Sequence, residues 1–541
     1  MAHLQEDEIN HIELHHNSTS GIILHTSTKH HGISLWPPPS NDPHDPLRWP
    51  QWLKILALFT TALCNFTGNL AASGPSVATQ LFEAQFMKSA SQVNDLMTFN
   101  FLFLGIGNMI WVPIAVKFGK RAVLITSMAL LFAGLCWSAS AATFNSLLTG
   151  RCITGFAASA GESIVPGIVS DLFFIHEHGA MMSIYVIFIS GATALGPLIA
   201  SYIVQYSSGT WRDFIWLSAA LAGFNLILLI LFYPESNFRR PLLPSRFRHH
   251  LEESQKPAND YSNENSEDKL TETRIEHSSS IIDPNNIQHV KHTKVPWNSI
   301  WFSFMKVDHS VNFLKAFLHP FVFLVYPPVV WAIFVYGAAL SSQVILTFAF
   351  PSFLVAPPYL FSPSSIGLMQ VAALIGFIIA CYLGGYVSDV ITTKRILREG
   401  GVIYPEQRLL SLIPGSLIPP VGCIIIACAC SQHLHWAAIA VGFGMVSFGT
   451  VYAPNIAIAY VIGCYPDHAS QCLILINVIK NLTAFIFLYV AVNWIERSGW
   501  FQVYMIMFML VSLTMVAAIP LWFYGARSRR FTSGLKVQKW F

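Results

Sequence analysis

The sequence predicts an all-α polytopic membrane protein, with twelve transmembrane helices in two six-helix halves. Three observations predict it. Of 541 residues, 53% are hydrophobic and 11% charged, and the mean hydropathy is +0.51, whereas a soluble globular protein carries about 25% charged residues. Apolar runs long enough to cross about 30 Å of hydrocarbon recur along the chain. With both termini in the cytosol, all but five of the 31 Lys and Arg residues fall in tails, linker, inner loops or an inner helix end, as the positive-inside rule requires. Of those five, Lys88, Arg212 and Arg497 lie on the outer side, and Arg151 and Lys480 lie within spans. A net charge of +3 spread this way leaves no basic face for nucleic acid. The nine cysteines show no CxxC or Cys/His zinc spacing, so they read as reduced structural thiols.

Residues 1–51 read as a cytosolic N-terminal tail, mostly disordered. Its histidine pairs, His15-His16 and His30-His31, lack the helix pattern or acidic partners of a metal site, and no signal-peptide core is present. Trp49 and Trp52 suit a membrane interface at the entry to the first span. The N-terminal half, 52–233, holds six apolar runs near 53–77, 93–116, 122–142, 146–170, 180–204 and 213–233. Residues 234–320 form a polar cytosolic central linker with an amphipathic stretch from Trp297 to Phe317. The C-terminal half, 321–524, repeats the count near 321–344, 365–388, 409–430, 434–461, 469–493 and 501–524. A basic cytosolic tail, 525–541, closes the chain.

Two spans carry charge where hydrocarbon would penalise it. In the fourth, Arg151, Gly155, Ala158 and Glu162 are spaced i, i+4, i+7 and i+11, which returns to one helix face within roughly 20°. Such a face must look into a protein interior or a watery cavity, and a structural ion pair in a bundle is the alternative to a functional one. In the eleventh, Asn477, Lys480 and Asn481 interrupt an apolar run. Lys480 lies about 16 Å and Glu162 about 12 Å from the inner ends of their spans. The two charges thus stand at similar depth in opposite halves; snorkelling, or pairing of Lys480 with backbone carbonyls, is the alternative. Asn65 and Asn69 in the first span are further candidate polar contacts, or ordinary interhelical hydrogen bonds.

The halves echo each other at corresponding loops. After span 2 comes Val116-Lys117-Phe118-Gly119-Lys120-Arg121, and after span 8 comes Gly384-Gly385-Tyr386-Val387-Ser388-Asp389 followed by Lys394-Arg395. Here the chain resembles the major facilitator superfamily, whose hallmark is a Gly, Asp and Gly-Arg-Arg loop between spans 2 and 3 with a weaker copy between spans 8 and 9. Each copy is about half present, and Val116 stands where the family has its acid. The resemblance implies the major facilitator fold, a gating role for Gly119, Lys120, Arg121, Gly385 and Asp389, and contact of the first three with the C-terminal half across the cytosolic gate. Arg151 and Gly155 match the family's span 4 pattern, which the resemblance associates with proton coupling. Gly191 with Gly196-Pro197 in span 5 is similar to the superfamily's antiporter pattern. Asp42 to Pro50, Asp171-Leu172-Phe173-Phe174, Tyr233-Pro234-Glu235-Ser236, Pro405-Glu406-Gln407-Arg408-Leu409, Tyr460 to Pro466, Lys480-Asn481 and Tyr524-Gly525 narrow it to the fungal branch of the twelve-span drug:proton antiporter family. His178 and Gly463 depart from that branch, the latter removing an acid at the inner end of span 10.

In the facilitator fold helices 4 and 11 border a central cavity, so Glu162 and Lys480 would face each other there, at the repeat interface where transporters bind cargo. The expectation is a proton-coupled secondary transporter of small organic molecules, exporting a drug, toxin or secondary metabolite by alternating access. Glu162 takes the proton with Arg151 tuning it, and Lys480, Asn477, Asn65 and Asn69 line the substrate cavity. The alternatives are an uptake permease for a nitrogenous or cationic nutrient and a non-transporting nutrient sensor. An enzyme is not expected, since no metal-ligand cluster, nucleophile–base grouping or P-loop is present. No cofactor is implied beyond the proton gradient. The partners are the lipid bilayer, the small-molecule substrate and protons, with no nucleic acid, for a monomeric multi-pass carrier of the plasma membrane.

Overall fold

Six long helices, a break, and six more make up the computed structural model, which describes residues 45–173, 175–207, 210–238, 313–388, 390, 405–465 and 468–534. In the first set are α1 (Gln51–Ser73), α2 (Ala90–Phe118), α3 (Lys120–Ser140), α4 (Phe144–Leu172), α5 (Ile175–Tyr206) and α6 (Arg212–Phe232). The second set begins with α7 (Pro327–Val355), α8 (Pro363–Cys381), α9 (Ile413–Ser431) and α10 (Trp436–Cys464). A continuous helical stretch, Ala469–Val516, follows. Gly499, at φ 72° and ψ 164°, breaks it into α11 (469–498) and α12 (500–516), since only glycine takes that conformation without strain. Eleven apolar stretches of the described residues are long enough to span a membrane, and the last, Ala469–Gly525, is divided by this kink. The predicted twelve spans are therefore present. A final helix, α13, runs Ala518–Gly534.

Local chemistry sets the helix starts. Ser89 and Gln92 form a reciprocal capping box at α2, and Thr143 and Ser362 cap α4 and α8. Span 7 begins later than the apolar run near 321 implies. Residues His319–Val325 form a 3-10 turn, and the α-helix starts at Pro327-Pro328, where proline's missing N–H costs nothing. The chain before α1 also differs from the predicted disordered tail. Pro46–Arg48 is a 3-10 turn capped by the Asp45 side chain, and Leu47 and Trp49 are buried in the N-terminal half. Lys54, itself buried, donates to the Leu47 carbonyl at 2.9 Å. Only Trp52 of the two predicted interfacial tryptophans is exposed. Residues 1–44, residues 239–312 with most of the stretch from Trp297, and residues 535–541 lie outside the described residues, while the end of that stretch falls in a short helix, Phe313–Leu318.

Each set of six helices packs around its own apolar core. The sets meet along α2 against α11 and α5 against α8. The second seam is close at two points: a Cβ on Gly367 would lie 1.8 Å from Ser201 Oγ, and one on Gly385 2.3 Å from Ser183 Oγ. Near the ends remote from the linker, Asn94 Nδ2 donates to the Leu488 carbonyl at 2.8 Å and Phe101 meets Phe348 edge to face at 5.9 Å. These contacts close the two sets against each other on that side.

Candidate functional site

Glu162 projects from the middle of α4 towards α11, and its carboxylate forms an ion pair with the Lys480 ammonium across the seam. Two amides hold the carboxylate in place: Asn108 of α2 donates to Oε2 at 3.1 Å and Asn481 of α11 donates to the same oxygen at 2.9 Å. Lys480, 4% exposed, also lies over the Tyr336 ring of α7, 4.1 Å from its centroid, a cation–π contact that gains strength when desolvated. Tyr185 of α5 donates its hydroxyl to the Glu162 main-chain carbonyl at 3.2 Å. Five helices from both sets thus converge on one charge pair. Helix packing makes room for it, since Gly105 of α2 lies against Asn481 and Gly161 of α4 against Asn65.

Arg151 occupies a different place. Its guanidinium, 3% exposed, donates through Nη1 to Ala71 O and through Nη2 to Ala72 O, both at 2.7 Å, and through Nε to Leu96 O at 3.4 Å. These first two carbonyls end α1, where the helix dipole is negative. Eleven residues of α4, about 16 Å, separate Arg151 from Glu162. They share a face, as the spacing predicts, but Arg151 serves the end of α1 and the expected partner role towards Glu162 falls to Lys480. Residues at i and i+11 align in direction and are too far apart in rise to pair.

The predicted polar contacts divide. Asn65 is 1% exposed, against Gly161 and beside the Tyr185 hydroxyl, and Asn108 Oδ1 has no protein partner among the described residues. Asn69 is spent on its own helix, donating to Asn65 O at 2.9 Å, the local back-bonding open to any polar side chain one turn on. Asn477 is buried one turn before Asn481. Asn108, Tyr185 and Tyr336 went unpredicted, because a lone Asn or Tyr in an apolar run carries no periodic signal.

The predicted gating residues also separate. Gly119, at φ +97°, ends α2 and begins α3. The Glu235 carboxylate accepts the backbone N–H groups of Lys120 and Arg121 at 3.1 and 3.0 Å. Lys120 Nζ bonds Asp171 at 2.5 Å, and Arg121 Nη2 donates to the Ile230 carbonyl at 2.9 Å. These contacts, among the described residues, lie within the N-terminal half, and the loop after α8 that the resemblance sets opposite them, with Asp389, lies outside the described residues. Gly385 lies in a π-helical turn, Tyr382–Val387, at the α5–α8 seam, and Asp389 lies outside the described residues. Gly196, ahead of Pro197 in α5, admits the end of α1, with a would-be Cβ 2.4 Å from Ser73 Oγ.

A family model described as Major Facilitator Superfamily matches residues 58–488. Among curated proteins the chain is 27% identical to Protein HOL1 of Saccharomyces cerevisiae, over 96% of this chain and 95% of that one. It is 24% identical to the uncharacterized MFS-type transporter C1271.10c of Schizosaccharomyces pombe, over 93% and 89%. With the protein named Probable drug/proton antiporter YHK8 of S. cerevisiae it shares 25% identity over 79% and 75%.

Proposed function

The chain belongs to the Major Facilitator Superfamily, and from that premise we propose that it is a proton-coupled secondary transporter of small organic molecules, exporting a drug, toxin or secondary metabolite by alternating access. The carrying observation is the Glu162–Lys480 pair, which ties α4 of one half to α11 of the other. Protonation of Glu162 removes one charge of the pair, and with it the attraction that favours the arrangement in which the two helices are close. Proton binding therefore shifts the balance between facing states through differential affinity. The unpartnered Oδ1 of Asn108 offers polar cargo a hydrogen bond, because a buried acceptor is costly when left unmade. The name of the YHK8 relative agrees with export against protons. Both termini lie in the cytosol and the carrier resides in the plasma membrane on this proposal.

Uptake of a cationic nutrient is the second reading, favoured by one feature. The Glu162 carboxylate and the Tyr336 ring already seat an ammonium, that of Lys480, and a cationic cargo would compete for the same seat. Cellular accumulation of candidate compounds, with and without the protein and with and without an uncoupler, decides between them. Lower accumulation in expressing cells supports export, higher accumulation supports uptake, and insensitivity to the uncoupler overturns proton coupling.

A further inference from the structure

The end of the central linker crosses the seam between the halves before it enters α7. A short helix, Phe313–Leu318, packs on α2 of the N-terminal half, and the 3-10 turn that follows, His319–Val325, packs on α11 and α7 of the C-terminal half. Phe317 and Phe321 of this strap meet Met109 and Val112 of α2 and Leu475 and Val478 of α11 around a small apolar crevice. The contact has a definite depth. Met109 follows Asn108, which donates to Glu162, and Val478 stands two residues before Lys480. The strap therefore covers the seam about one helical turn on the linker side of the charge pair.

The two attachments of the strap differ in kind. Towards the C-terminal half the strap runs on into α7, and the Phe323 ring lies 5.2 Å from His468 at the start of α11 and 5.1 Å from Tyr326. Tyr326 in turn meets Tyr465, at the end of α10, edge to face at 4.9 Å. Phe323 and Tyr326 are buried. Towards the N-terminal half the strap presents Ala316 and half-buried Phe317 to the side chains of α2. An apolar contact of a few side chains parts at less cost than a chain connection and a buried aromatic array. The strap therefore moves with the C-terminal half, and α2 is the partner it can release.

We infer that the strap is a clasp on the linker side of the carrier: an arm of the C-terminal half that holds α2 against α11 there and lets go when that side opens. While it is closed, water is kept from the Glu162–Lys480 pair on the linker side, and the attraction between the two charges keeps the strength that a low-dielectric surrounding gives. Release parts α2 from α11 and opens the way to the pair. The outer side responds in the opposite sense, because Asn94 Nδ2 of α2, donating to the Leu488 carbonyl of α11 at 2.8 Å, closes the same two helices towards their other ends, and a carrier that alternates opens one side while the other is shut. The inference rests on the alternating-access reading and not on the cargo, the direction of transport or the proton site.

Thiol labelling of the full-length protein in lipid nanodiscs tests it. Two reporters are introduced one at a time, Val478→Cys under the strap and Leu488→Cys at the outer contact, both at buried positions. Their modification by a charged maleimide is followed by peptide mass spectrometry, which tells them from the nine native cysteines. Adding Phe317→Ala is expected to speed labelling at 478 on the order of tenfold and to slow it at 488 by a similar factor, the scale of one half-buried phenyl contact. Val112→Ala weakens the same contact from the α2 side and should act in the same direction. Thermal melting checks that both variants fold, and should Phe317→Ala melt early, Val112→Ala decides. Faster labelling at 478 with 488 unchanged makes the strap a passive cover and overturns the inference, as do unchanged rates at both. Lys480→Met, which unties the same seam, separates the clasp from the reading beneath it. Opposed responses of the two reporters in Lys480→Met with none in Phe317→Ala sink the clasp alone, whereas rates that rise and fall together in every variant sink alternating access with it.

Discussion

The Glu235 carboxylate, just past the end of α6, accepts the backbone N–H of Arg121 at 3.0 Å at the start of α3. Its other oxygen accepts from Lys120 at 3.1 Å and from Asn237 at 2.9 Å. A helix N-terminus with unpaired N–H groups and a positive dipole is thereby closed by an anion. The loop between α2 and α3 has Val116 where the superfamily has an acid, and here an acid arrives from the far end of the same half. The C-terminal half has the opposite polarity at the corresponding place: Arg529 of α13, beyond α12, pairs with Glu406, ahead of α9. The repeat relation survives in geometry while the signs exchange.

Glu235→Ala should destabilise the N-terminal half by about 1–2 kcal/mol, the loss of a charged helix cap. Arg121→Ala should cost a comparable amount, because its guanidinium holds the Ile230 carbonyl. Thermal melting in detergent is expected to fall for both, and cysteine accessibility reads whether Arg121→Ala also shifts the balance of facing states. An altered balance at wild-type melting would place Arg121 in the gate.

Arg151 makes a separate prediction. Arg151→Lys keeps the charge but cannot reach Ala71 O and Ala72 O together with a planar fork. Losing charge-assisted bonds to buried carbonyls should cost about 2–3 kcal/mol, read as lower melting. Any transport that remains should keep its full pH dependence. Selective loss of pH dependence at normal stability would give Arg151 the proton-coupling role that the sequence suggested.

Much of this was legible beforehand, for definite reasons. Span length and lysine and arginine sorting count helices whatever their packing, so the twelve-span fold followed from composition. Depth along a helix follows from rise per residue, so Glu162 and Lys480 could be placed level with each other. Pairing could not be read the same way: the stripe joins Arg151 to Glu162 by direction alone, and only the crossing of α1 under α4 shows which carbonyls Arg151 meets. Helix starts depend on one or two residues, which is why Pro327-Pro328 moved the seventh span and why Leu47 and Trp49 are packed instead of trailing. Glu235 was visible within Tyr233-Pro234-Glu235-Ser236, but its place on α3 required the return of the chain across the half.

Topology gives the third prediction. Tags at the N-terminus, at residue 265 and at the C-terminus should be reachable from the cytosol alone, and a tag after Lys88 from outside, as charge sorting predicts. Impermeant labelling of intact cells measures it. Opposite sides for any two of the first three would break the six-plus-six arrangement.

The final prediction concerns the pair at the seam. Removing one member of a buried ion pair strands the other, at about 3–5 kcal/mol, whereas removing both leaves no charge to desolvate. Lys480→Met alone should therefore lower melting strongly, since Glu162 would keep only the Asn108 and Asn481 amides. Glu162→Gln should be milder, because glutamine can still meet those amides while the Lys480 ammonium keeps the Tyr336 ring. The double variant should be more stable than Lys480→Met, a coupling that a double-mutant cycle reads directly. Function should divide differently. On the proposed coupling, every variant lacking Glu162 should lose concentrative, pH-driven transport while retaining some cargo exchange, because the carboxylate is gone and the Asn108 amide remains. A Glu162→Gln protein with wild-type uncoupler-sensitive transport, together with the predicted stability coupling, would make the pair a structural tie between the halves and send the search for the proton site to another residue.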